Sequence, residues 1–584
     1  MSRLVTDGLS AMRFTCRAIW LTALLGTLLP MWTHAAEYDR PTPPAWQSRS
    51  VVMGRNGMVA SSHPLAAQTG LDVLRRGGNA VDAAIAVNAM LGVVEPMSCG
   101  IGGDLFAIVW DAKTRKIYGL NASGRSPLAI RRDALRQRGL AEIPEYGLLP
   151  WSVPGCVDGW IVLRERFGSQ PLADLLQPAI DAAEQGYPVS EIIAKNWQGA
   201  AEELQKWPDS ARVYLPGGRA PAAGEVMQLP ELAAAYRLIA AGGRDAFYRG
   251  PIAAEIVRFS QTHGGLFAAE DFERHRSDWV EPVSTTYRGY RLWELPPNGQ
   301  GIAALQILNI LEGYDLKSLG PKHPDYVHFF VEAKKLAYAD RAQFYADPDF
   351  SLAPVQALIS KGYADERRKL IQREHAATSI PHGDPKLQHG DTVYLTVVDK
   401  DRNCCSLIQS LYFGFGSQVV PGNVGFAMQN RGQLFALQDD HPNRLEPGKR
   451  PFHTIIPALV TRDDKPWLCY GVMGGDMQPQ GHVQILINLV DFGMNVQAAG
   501  DAARIRHGGS ADPTGGPGDP KGGTVYLESG FPPETAEELR RRGHDVEHGK
   551  GSSVGGYQGI LIDWEHGVLH GASEARKDGA AVGY

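Results

Sequence analysis

A threonine at the start of an apolar strand pattern constrains this chain more than any other feature of its sequence. The stretch from His389 to Asp399 reads HGDTVYLTVVD, in which Thr392 opens an alternating, β-branched run. Such a run predicts a β-strand, and threonine is common in ordinary strands. If the Asp391–Thr392 bond is cut, however, Thr392 carries both a nucleophilic hydroxyl and a free α-amine that can act as its base. The rest of the sequence decides between these two readings.

The composition is that of a globular protein and argues against a nucleic-acid-binding one. The chain has 584 residues, 43% of them hydrophobic and 21% charged, which is typical of a globular enzyme with a sizeable core. The formal net charge is −6, and acidic and basic residues are interspersed. Because there is no basic stripe or polybasic tail, we expect no nucleic-acid partner.

The first residues have the pattern of an export signal. Arg13 and Arg17 precede an apolar run from Ala18 to Trp32, and small residues follow. This predicts a signal that is removed near Ala35 or Ala36. The alternative is a short membrane anchor, although the run is shorter than the ~20 residues needed to span a bilayer.

The segment before Met12 is long for a signal, so translation could start at Met1 or at Met12. We expect an exported protein, periplasmic or secreted, with no stable membrane span after processing.

Outside the signal, the odd number of cysteines and their adjacent pair do not form a disulfide framework. These cysteines are Cys99, Cys156, Cys404, Cys405 and Cys469.

Helix and strand patterns alternate along the mature chain. A helix is predicted from Leu65 to Arg76, and Asn79 is predicted to cap a second one. Further helices are predicted from Tyr326 to Tyr345 and from about Gly481 to Asn495, whereas strands and tight turns follow Thr392. Helix pairs around two strand-rich sets favour a layered α/β sandwich. No internal repeat is evident.

The polar segment from Gln372 to Gly390 lies directly before the threonine and contains two prolines, Pro381 and Pro385. Exposed segments of this composition are where chains are most readily cut. The sequence therefore predicts a cleavable loop that ends at the Asp391–Thr392 bond.

Three motif-like patterns are rejected. The loop Asp399–Asn403 opens like a calcium loop but lacks the glycine and glutamate that the motif requires later. Ser553 lies in a G-x-S-x-G pattern, but Tyr557 to Trp564 is predicted to be a strand where that motif needs a helix. His544 and His548 have metal-like spacing without a nearby cysteine or third histidine. We therefore expect no metal and no cofactor.

Several separated motifs resemble the γ-glutamyltransferase family of N-terminal-nucleophile hydrolases, and the likeness runs from Gly57 to the C-terminus. The motifs are Gly77-Gly78-Asn79-Ala80-Val81-Asp82-Ala83-Ala84, Val153-Pro154-Gly155 with Gly159, Leu295-Pro296-Pro297 with Leu305–Glu312, and Ala337-Tyr338-Ala339-Asp340-Arg341 with Asp347-Pro348-Asp349-Phe350. Thr392 falls where the family has its processed threonine. Coincidence across so many separated blocks is not credible.

The resemblance implies a fold and a maturation step. The fold would be a four-layer αββα sandwich of the N-terminal-nucleophile hydrolases. Thr392 Oγ would attack the Asp391 carbonyl and split the chain in two: after separate removal of the signal over residues 1–36, one fold would consist of a large subunit over 37–391 and a small catalytic subunit over 392–584. The partners implied are a small-molecule amide substrate and the two subunits of one precursor.

The resemblance also implies catalytic residues. Thr392 would be the nucleophile and its α-amine the base. Ser410 matches a second hydroxyl that hydrogen-bonds the nucleophile. Gly474 and Gly475 match the pair of glycines whose N–H groups form the oxyanion hole.

The chain departs from the family pattern where a γ-glutamyl donor would be bound. The arginine that binds the donor carboxylate aligns with Ser123, although Arg125 is only two residues away. The acid that pairs with the donor ammonium aligns with Leu434, and Arg431 is nearby. The remaining departures are Tyr412 in place of an asparagine, and His453 with Thr454 in place of two serines. Because a buried ammonium without a counter-charge is costly, Leu434 favours a donor with a carboxylate but no amine.

Three functions remain open from the sequence. The first is cleavage of γ-glutamyl amides such as glutathione. The alternative is hydrolysis of non-glutamyl amides of the glutaryl, cephalosporin or oxamate type. A lesser alternative, from another class, is an inactive envelope binding protein on the same scaffold. Pocket residues favour the second and the family's commonest activity favours the first.

Overall fold

β-Strands whose side chains alternate between two faces form the centre of the fold. The structure is a computed structural model that describes residues 47–378, 391–510, 513–516, 518–549 and 554–584. The predicted signal, the segment 379–390 and Ser553 lie outside these residues. The strands are β1 (Val52–Gly54), β2 (Met58–Ser61), β3 (Asp104–Asp111), β4 (Lys116–Ala122), β5 (Tyr187–Pro188), β6 (Val226–Met227), β7 (Asp278–Val280), β8 (Val283–Tyr287), β9 (Tyr290–Glu294), β10 (Asp391–Val398), β11 (Cys404–Tyr412), β12 (Ala458–Arg462), β13 (Lys465–Val472), β14 (Ile505–Gly508), β15 (Thr524–Leu527), β16 (Asp545–His548), β17 (Tyr557–Asp563), β18 (Val568–Ser573) and β19 (Ala580–Gly583).

The helices of the same ranges differ in length, and the longest pack on the sheets. They are α1 (Pro64–Arg75), α2 (Ala80–Val94), α3 (Arg132–Gln137), α4 (Cys156–Phe167), α5 (Leu172–Gln185), α6 (Glu191–Leu204), α7 (Pro208–Tyr214), α8 (Pro230–Tyr248), α9 (Pro251–Thr262), α10 (Ala269–Arg274), α11 (Gly301–Leu311), α12 (Leu316–Leu319), α13 (Pro324–Phe344), α14 (Val355–Leu358), α15 (Lys361–Arg368), α16 (Met477–Val490), α17 (Val496–Asp501) and α18 (Pro533–Arg541). Short 3₁₀ turns cover Pro216–Gly218 and Arg431–Leu434.

Two seven-stranded sheets form the centre of the described structure. One has the order β1-β18-β17-β13-β12-β9-β8 and the other the order β19-β2-β10-β11-β3-β4-β7. Every strand pairing within both sheets is antiparallel. A small three-stranded sheet, β14-β15-β16, and the pair β5-β6 are separate from them.

Three clusters of buried apolar side chains hold the layers of helices and sheets together. Helices α1, α2, α4, α5 and α8 cover the outer face of the sheet that contains β10. Helices α11, α13 and α16 cover the outer face of the other sheet. Side chains such as Phe106, Tyr394, Leu459 and Ile560 fill the space between the two sheets. The predicted four-layer αββα sandwich is confirmed.

The alternation along β10 explains why it occupies the middle of this stack. Val393, Leu395 and Val397 pack towards the helices, whereas Tyr394 and Val398 point between the sheets. Strands that are covered on both faces are apolar throughout. The pattern predicted at Thr392 is therefore that of a strand whose two faces are both buried.

Local signals fixed several helix ends correctly. The Asn79 side chain accepts hydrogen bonds from the N–H groups of Val81 and Asp82, and the Asp82 carboxylate accepts one from Asn79 N–H, which forms a capping box. The prediction of a helix from about Gly481 to Asn495 was wrong at both ends, because α16 runs from Met477 to Val490. Gly481 does not interrupt this helix; it allows close packing against Val472.

Each of the cysteines Cys99, Cys156, Cys404, Cys405 and Cys469 is buried and free. Within the described ranges, no helix is long and apolar enough to cross a bilayer.

Candidate active site

Three neighbouring strands place three polar side chains at one end of the gap between the sheets. Thr392 lies in β10, Ser410 at the end of β11 and Asp104 at the start of β3, and the ladder pairs Ser410 with Asp104. Their positions share the strand face of Tyr394, Ile408 and Phe106, whose side chains lie between the sheets. Each of the three side chains is buried. Three polar side chains thus lie together at the end of an otherwise apolar layer between the two sheets.

The predicted nucleophile has a hydroxyl partner. Thr392 Oγ1 lies 3.3 Å from Ser410 Oγ. The ladder between β10 and β11 shifts register between Asp391 and Val393, so that Asp391 pairs with Tyr412. This irregularity falls on the bond predicted to be cut, and bulges often redirect side chains next to active sites.

A buried arginine lies next to this hydroxyl pair. The Arg431 guanidinium donates to Ser410 Oγ at 2.9 Å and to Thr454 Oγ1 at 2.6 Å. Its carbon Cζ stacks 4.4 Å from the centre of the Tyr412 ring. Burial lowers the pKa of Arg431 to about 10, so the side chain remains charged near neutral pH. Within the described ranges, no carboxylate lies at ion-pair distance from it and its Nε is unpaired.

Beyond Thr454 lies an acid–histidine pair. His453 Nε2 is 3.0 Å from Asp104 Oδ2, and both side chains are fully buried. Asp104 Oδ1 accepts hydrogen bonds from the N–H groups of Gly124 and Gly155. Burial raises the pKa of Asp104 to about 7 and lowers the pKa of His453 well below its ordinary value. Asp104 is therefore only partly ionised at neutral pH, and the pair offsets the charge of Arg431 only in part.

Tyr412 and Leu434 line the same region with apolar surface. Tyr412 has a positive φ of 87°, which a non-glycine residue rarely adopts, and its N–H donates to Ser410 Oγ at 2.8 Å. The Leu434 side chain is fully buried in the apolar cluster that also contains Tyr412 and Phe452. No acid therefore stands at position 434 to pair with a donor ammonium.

The predicted oxyanion glycines form a tight loop between β13 and α16. Gly474 has φ 116° and Gly475 has φ 57°, both in the region that favours glycine. Their carbonyl groups accept from Met477 N–H at 3.0 Å and Gln478 N–H at 3.2 Å. Neither glycine N–H donates to an acceptor in the part of the chain that the structure describes. Both donors are therefore available to a ligand.

Arg125 differs from the other predicted substrate-binding residues. Its guanidinium contacts Asp347 at 3.3 Å and Asp349 at 2.9 Å, and it also donates to Gly448 O. These carboxylates already neutralise its charge. The structure thus brings Thr392, Ser410, Tyr412, Arg431, Leu434, His453 and Thr454 together and engages Arg125 elsewhere.

Sequence reasoning missed Asp104. The pattern Gly100-Ile101-Gly102-Gly103-Asp104 indicated only a turn before a strand. A usable signal was present, since Asp104 is the one charged residue ahead of a long apolar run, Leu105 to Trp110. An acid at such a position is buried with its strand and must have partners.

A second group of side chains has the geometry of metal ligands. His328, Glu332 and His544 have ligand atoms within 4.8 Å of one another. His328 Nδ1 and His544 Nε2 are hydrogen-bonded at 2.8 Å, and Glu332 is paired with Lys335 at 2.9 Å. Burial, together with the nearby Lys335 and Arg542 cations, lowers the pKa of His544 to about 2. Two cations facing the group oppose a further positive charge, so we assign no metal to it.

Comparison with known proteins identifies a matching family. The family model described as gamma-glutamyltranspeptidase matches residues 66–584. The Glutathione hydrolase-like YwrD proenzyme of Bacillus subtilis is 39% identical over 540 residues, which cover 91% of this chain and 99% of that protein. The Acylase ACY 1 proenzyme of a Pseudomonas species is 36% identical over 541 residues, covering 91% of this chain and 94% of that protein.

A solved structure extends the likeness to three dimensions. The cephalosporin acylase from Bacillus halodurans superposes with a TM-score of 0.85 and 43% sequence identity. The match covers 94% of this chain and 99% of the acylase. Chains with different substrate names therefore share this architecture along nearly their whole length.

Proposed function

This chain belongs to the gamma-glutamyltranspeptidase family, and its relatives are named as a glutathione hydrolase-like proenzyme and an acylase proenzyme; we propose that it is a self-processing amidohydrolase with Thr392 as its nucleophile. The observation that carries the proposal is the buried Thr392 hydroxyl, which lies 3.3 Å from Ser410 Oγ. Ser410 Oγ in turn accepts a hydrogen bond from the Arg431 cation. An ordinary strand threonine has no need of a second hydroxyl and a buried guanidinium.

Maturation is the first reaction in this proposal. Thr392 Oγ attacks the carbonyl carbon of Asp391, and the C–N bond breaks as its nitrogen takes up a proton. The resulting ester is hydrolysed by water, which leaves a carboxylate on Asp391 and restores the hydroxyl of Thr392. The new α-amine has an ordinary pKa of about 7.7–8.0. The nearby Arg431 charge lowers that pKa, so the amine is a free base near neutral pH.

Substrate turnover uses the same oxygen. The α-amine takes the Thr392 hydroxyl proton while Oγ attacks the donor carbonyl, and a negative oxygen develops on the tetrahedral intermediate. The N–H groups of Gly474 and Gly475 are free to bind that oxygen. Collapse expels the donor amine with the proton and leaves a threonyl ester. Water resolves the ester in hydrolysis, and an acceptor amine resolves it in transfer.

The first candidate donors are γ-glutamyl compounds, including glutathione. The relative named glutathione hydrolase-like supports this choice through similarity over 91% of the chain. Leu434 and Ser123 weaken it, because neither side chain carries a charge at the positions where the family binds the donor ammonium and carboxylate.

The second candidate donors are amides that carry a carboxylate but no amine, of the glutaryl, cephalosporin or oxamate type. Arg431 supports this choice, because a fully buried guanidinium without a described carboxylate partner is a ready receptor for one. The similarity to a cephalosporin acylase points the same way. Arg431 Nη2 lies about 6.2 Å at most from Thr392 Oγ1, since the two connecting hydrogen bonds measure 3.3 and 2.9 Å.

The subunits and the location of the protein follow from the same proposal. Cleavage yields a large subunit that ends at Asp391 and a small catalytic subunit that begins at Thr392. The predicted signal over residues 1–36 directs export to the periplasm or the medium. Relatives named as proenzymes support the maturation step.

Intact mass spectrometry tests the reaction class. We expect wild-type protein to give two fragments that meet at Asp391/Thr392 and Thr392→Ala to remain one chain. An uncut and inactive wild type would overturn the proposal. A panel of γ-glutamyl, glutaryl and oxamate amides then separates the two donor classes through kcat/KM.

A further inference from the structure

The glycine loop that offers the two free N–H groups is fixed by its carbonyl groups. In a trans peptide the N–H points opposite to the carbonyl of the same unit. Gly474 O accepts from Met477 N–H, inside the first turn of α16. The Gly475 N–H therefore points away from that helix. The Gly475 carbonyl belongs to the next peptide unit, together with the N–H of Asp476, so a contact to it restrains the rotation between the two units and thereby the position of Gly475.

The side chain of Gln300 reaches this loop from another part of the fold. Gln300 Nε2 donates to Gly475 O at 3.0 Å and to Thr454 O at 2.6 Å. Thr454 is also the residue whose hydroxyl accepts from Arg431. A continuous chain of hydrogen bonds thus runs from Thr392 through Ser410, Arg431, Thr454 and Gln300 to Gly475.

Arg341 determines which way the Gln300 amide points. Its Nη1 donates to Gln300 Oε1 at 2.7 Å and to Asp476 Oδ1 at 2.6 Å. Because arginine has donors only, the amide oxygen must face Arg341 and the amide nitrogen must face the two carbonyls. The Arg341 guanidinium also stacks 3.9 Å from the Tyr338 ring, whose hydroxyl donates to Asp476 O.

Both side chains are fully buried, and both come from the part of the chain before the predicted cut. The loop and Thr454 come from the part after it. A buried amide that uses two donors and one acceptor in this way costs free energy to displace, since each broken contact leaves a polar group unpaired. The contacts therefore restrain the loop across the interface between the two predicted subunits.

We propose that Gln300 and Arg341 are positioning residues that hold Gly475 in place, and so keep its N–H directed at the oxygen of the tetrahedral intermediate. They touch neither substrate nor the reacting atoms, and they act through the carbonyl of Gly475 and the carboxylate of Asp476. This role rests on the proposed function, because it requires Thr392 to generate that intermediate. It makes the large subunit responsible for the geometry of a catalytic loop in the small subunit.

Kinetics of purified, self-cleaved variants test the proposal. Gln300→Met removes all three contacts, whereas Gln300→Glu keeps the acceptor for Arg341 and removes both donors to the loop. We expect both to lower kcat by about 10- to 100-fold with KM within about threefold, because misplaced donors weaken binding of the transition state and not of the substrate. A matching fall in both variants would assign the effect to the donors rather than to the link with Arg341.

Gln306→Met is the matched control. Gln306 is a buried glutamine of α11 that binds Asp340 and Tyr345 and has no hydrogen bond to the loop. We expect it to lower the thermal midpoint without changing kcat. Equal losses of kcat in Gln306→Met and Gln300→Met would overturn the positioning role, and so would unchanged kcat in Gln300→Met.

A crystal structure of Gln300→Met decides the question independently of any substrate. The proposal expects the Gly475 carbonyl to rotate or to occupy more than one position. A loop that stays in place would overturn it, even if wild-type protein hydrolysed no tested donor. Failure of wild type to cleave itself or any amide would instead count against the proposed function.

Discussion

The Asp104 carboxylate and the His453 imidazole lie 3.0 Å apart with no surface exposed to solvent. Asp104 begins β3 in one central sheet, and His453 precedes β12 in the other. Their contact therefore joins the two sheets at the end of the gap where Thr392 lies. Burial shifts the pKa of each group towards its neutral form, and Arg431 is the cation that faces them.

The first prediction concerns stability and pH. The pKa of Asp104 rises from 3.8 to about 7 on folding, so the folded state binds a proton that the unfolded state has released. Wild type should therefore lose stability relative to Asp104→Asn as pH rises from about 4 to about 7, by up to about 4 kcal/mol, and no further above that. The variant keeps the Oδ1 acceptor for Gly124 and Gly155. Thermal midpoints of both proteins across this range measure the effect, and parallel curves would contradict it.

The second prediction concerns Ser410. Ser410→Ala removes the hydroxyl that contacts Thr392 and leaves Arg431 Nη2 without this acceptor. Hydrogen bonds to charged groups contribute about 1.5–3 kcal/mol, so we expect kcat to fall by about 10- to 100-fold. Steady-state kinetics on the best donor of the panel provide the measurement.

Ser406→Ala is the control for that experiment. Ser406 is also buried on β11, and its hydroxyl contacts Tyr394 and Ala458 N–H rather than the nucleophile. We expect this variant to lose stability but to keep kcat. Similar kcat losses in the two variants would mean that Ser410 acts only through the packing of the strand.

The third prediction separates charge from shape at Arg431. Arg431→Gln removes a cation within about 6.2 Å of Thr392 Oγ1. The pKa of the α-amine should then rise, so the acid limb of the kcat profile should move to higher pH by about one unit or more. Arg431→Lys keeps the charge and should leave the limb near its wild-type position. A profile unchanged in Arg431→Gln would exclude this electrostatic role.

The fourth prediction concerns donor choice at Leu434. Leu434→Asp places a carboxylate where the family pairs an acid with the donor ammonium, and Arg431 nearby reduces the cost of burying it. We expect kcat/KM for γ-glutamyl donors to rise at least about tenfold relative to glutaryl donors. Leu434→Asn matches the aspartate in size without its charge and should not change the ratio. Unchanged kinetics in Leu434→Asp would show that position 434 does not contact the donor amine.

Sequence patterns within a few residues of one another predicted individual strands and helix ends. The apolar alternation after Thr392 predicted β10, and Asn79 with Asp82 predicted the start of α2. The four layers followed from the order of helices and strands together with the family resemblance. The start of α16 was missed because Pro479, which is unfavourable inside a helix, lies in its first turn, where the missing N–H has no intrahelical partner.

The electrostatic design of the site could not be predicted in this way. Asp104 and His453 are 349 positions apart, and Gln300 and Gly475 are 175 apart. No local spacing links residues at such separations. Resemblance predicted roles for Thr392, Ser410 and the glycines, but it had no counterpart for contacts that arise where this chain departs from the family.

Strands from both sides of the predicted cut alternate within one sheet. β10 and β11 lie between β2 and β3, so the predicted small subunit would supply the middle of a sheet whose adjacent strands belong to the predicted large subunit. The uncut chain can assemble this order because all strands belong to one molecule. After the cut, unfolded pieces would have to meet by diffusion while exposing apolar strand edges. The proposed maturation would then be a one-way step: refolding of the uncut precursor would not depend on protein concentration, whereas recovery of the cut protein would depend on it and compete with aggregation.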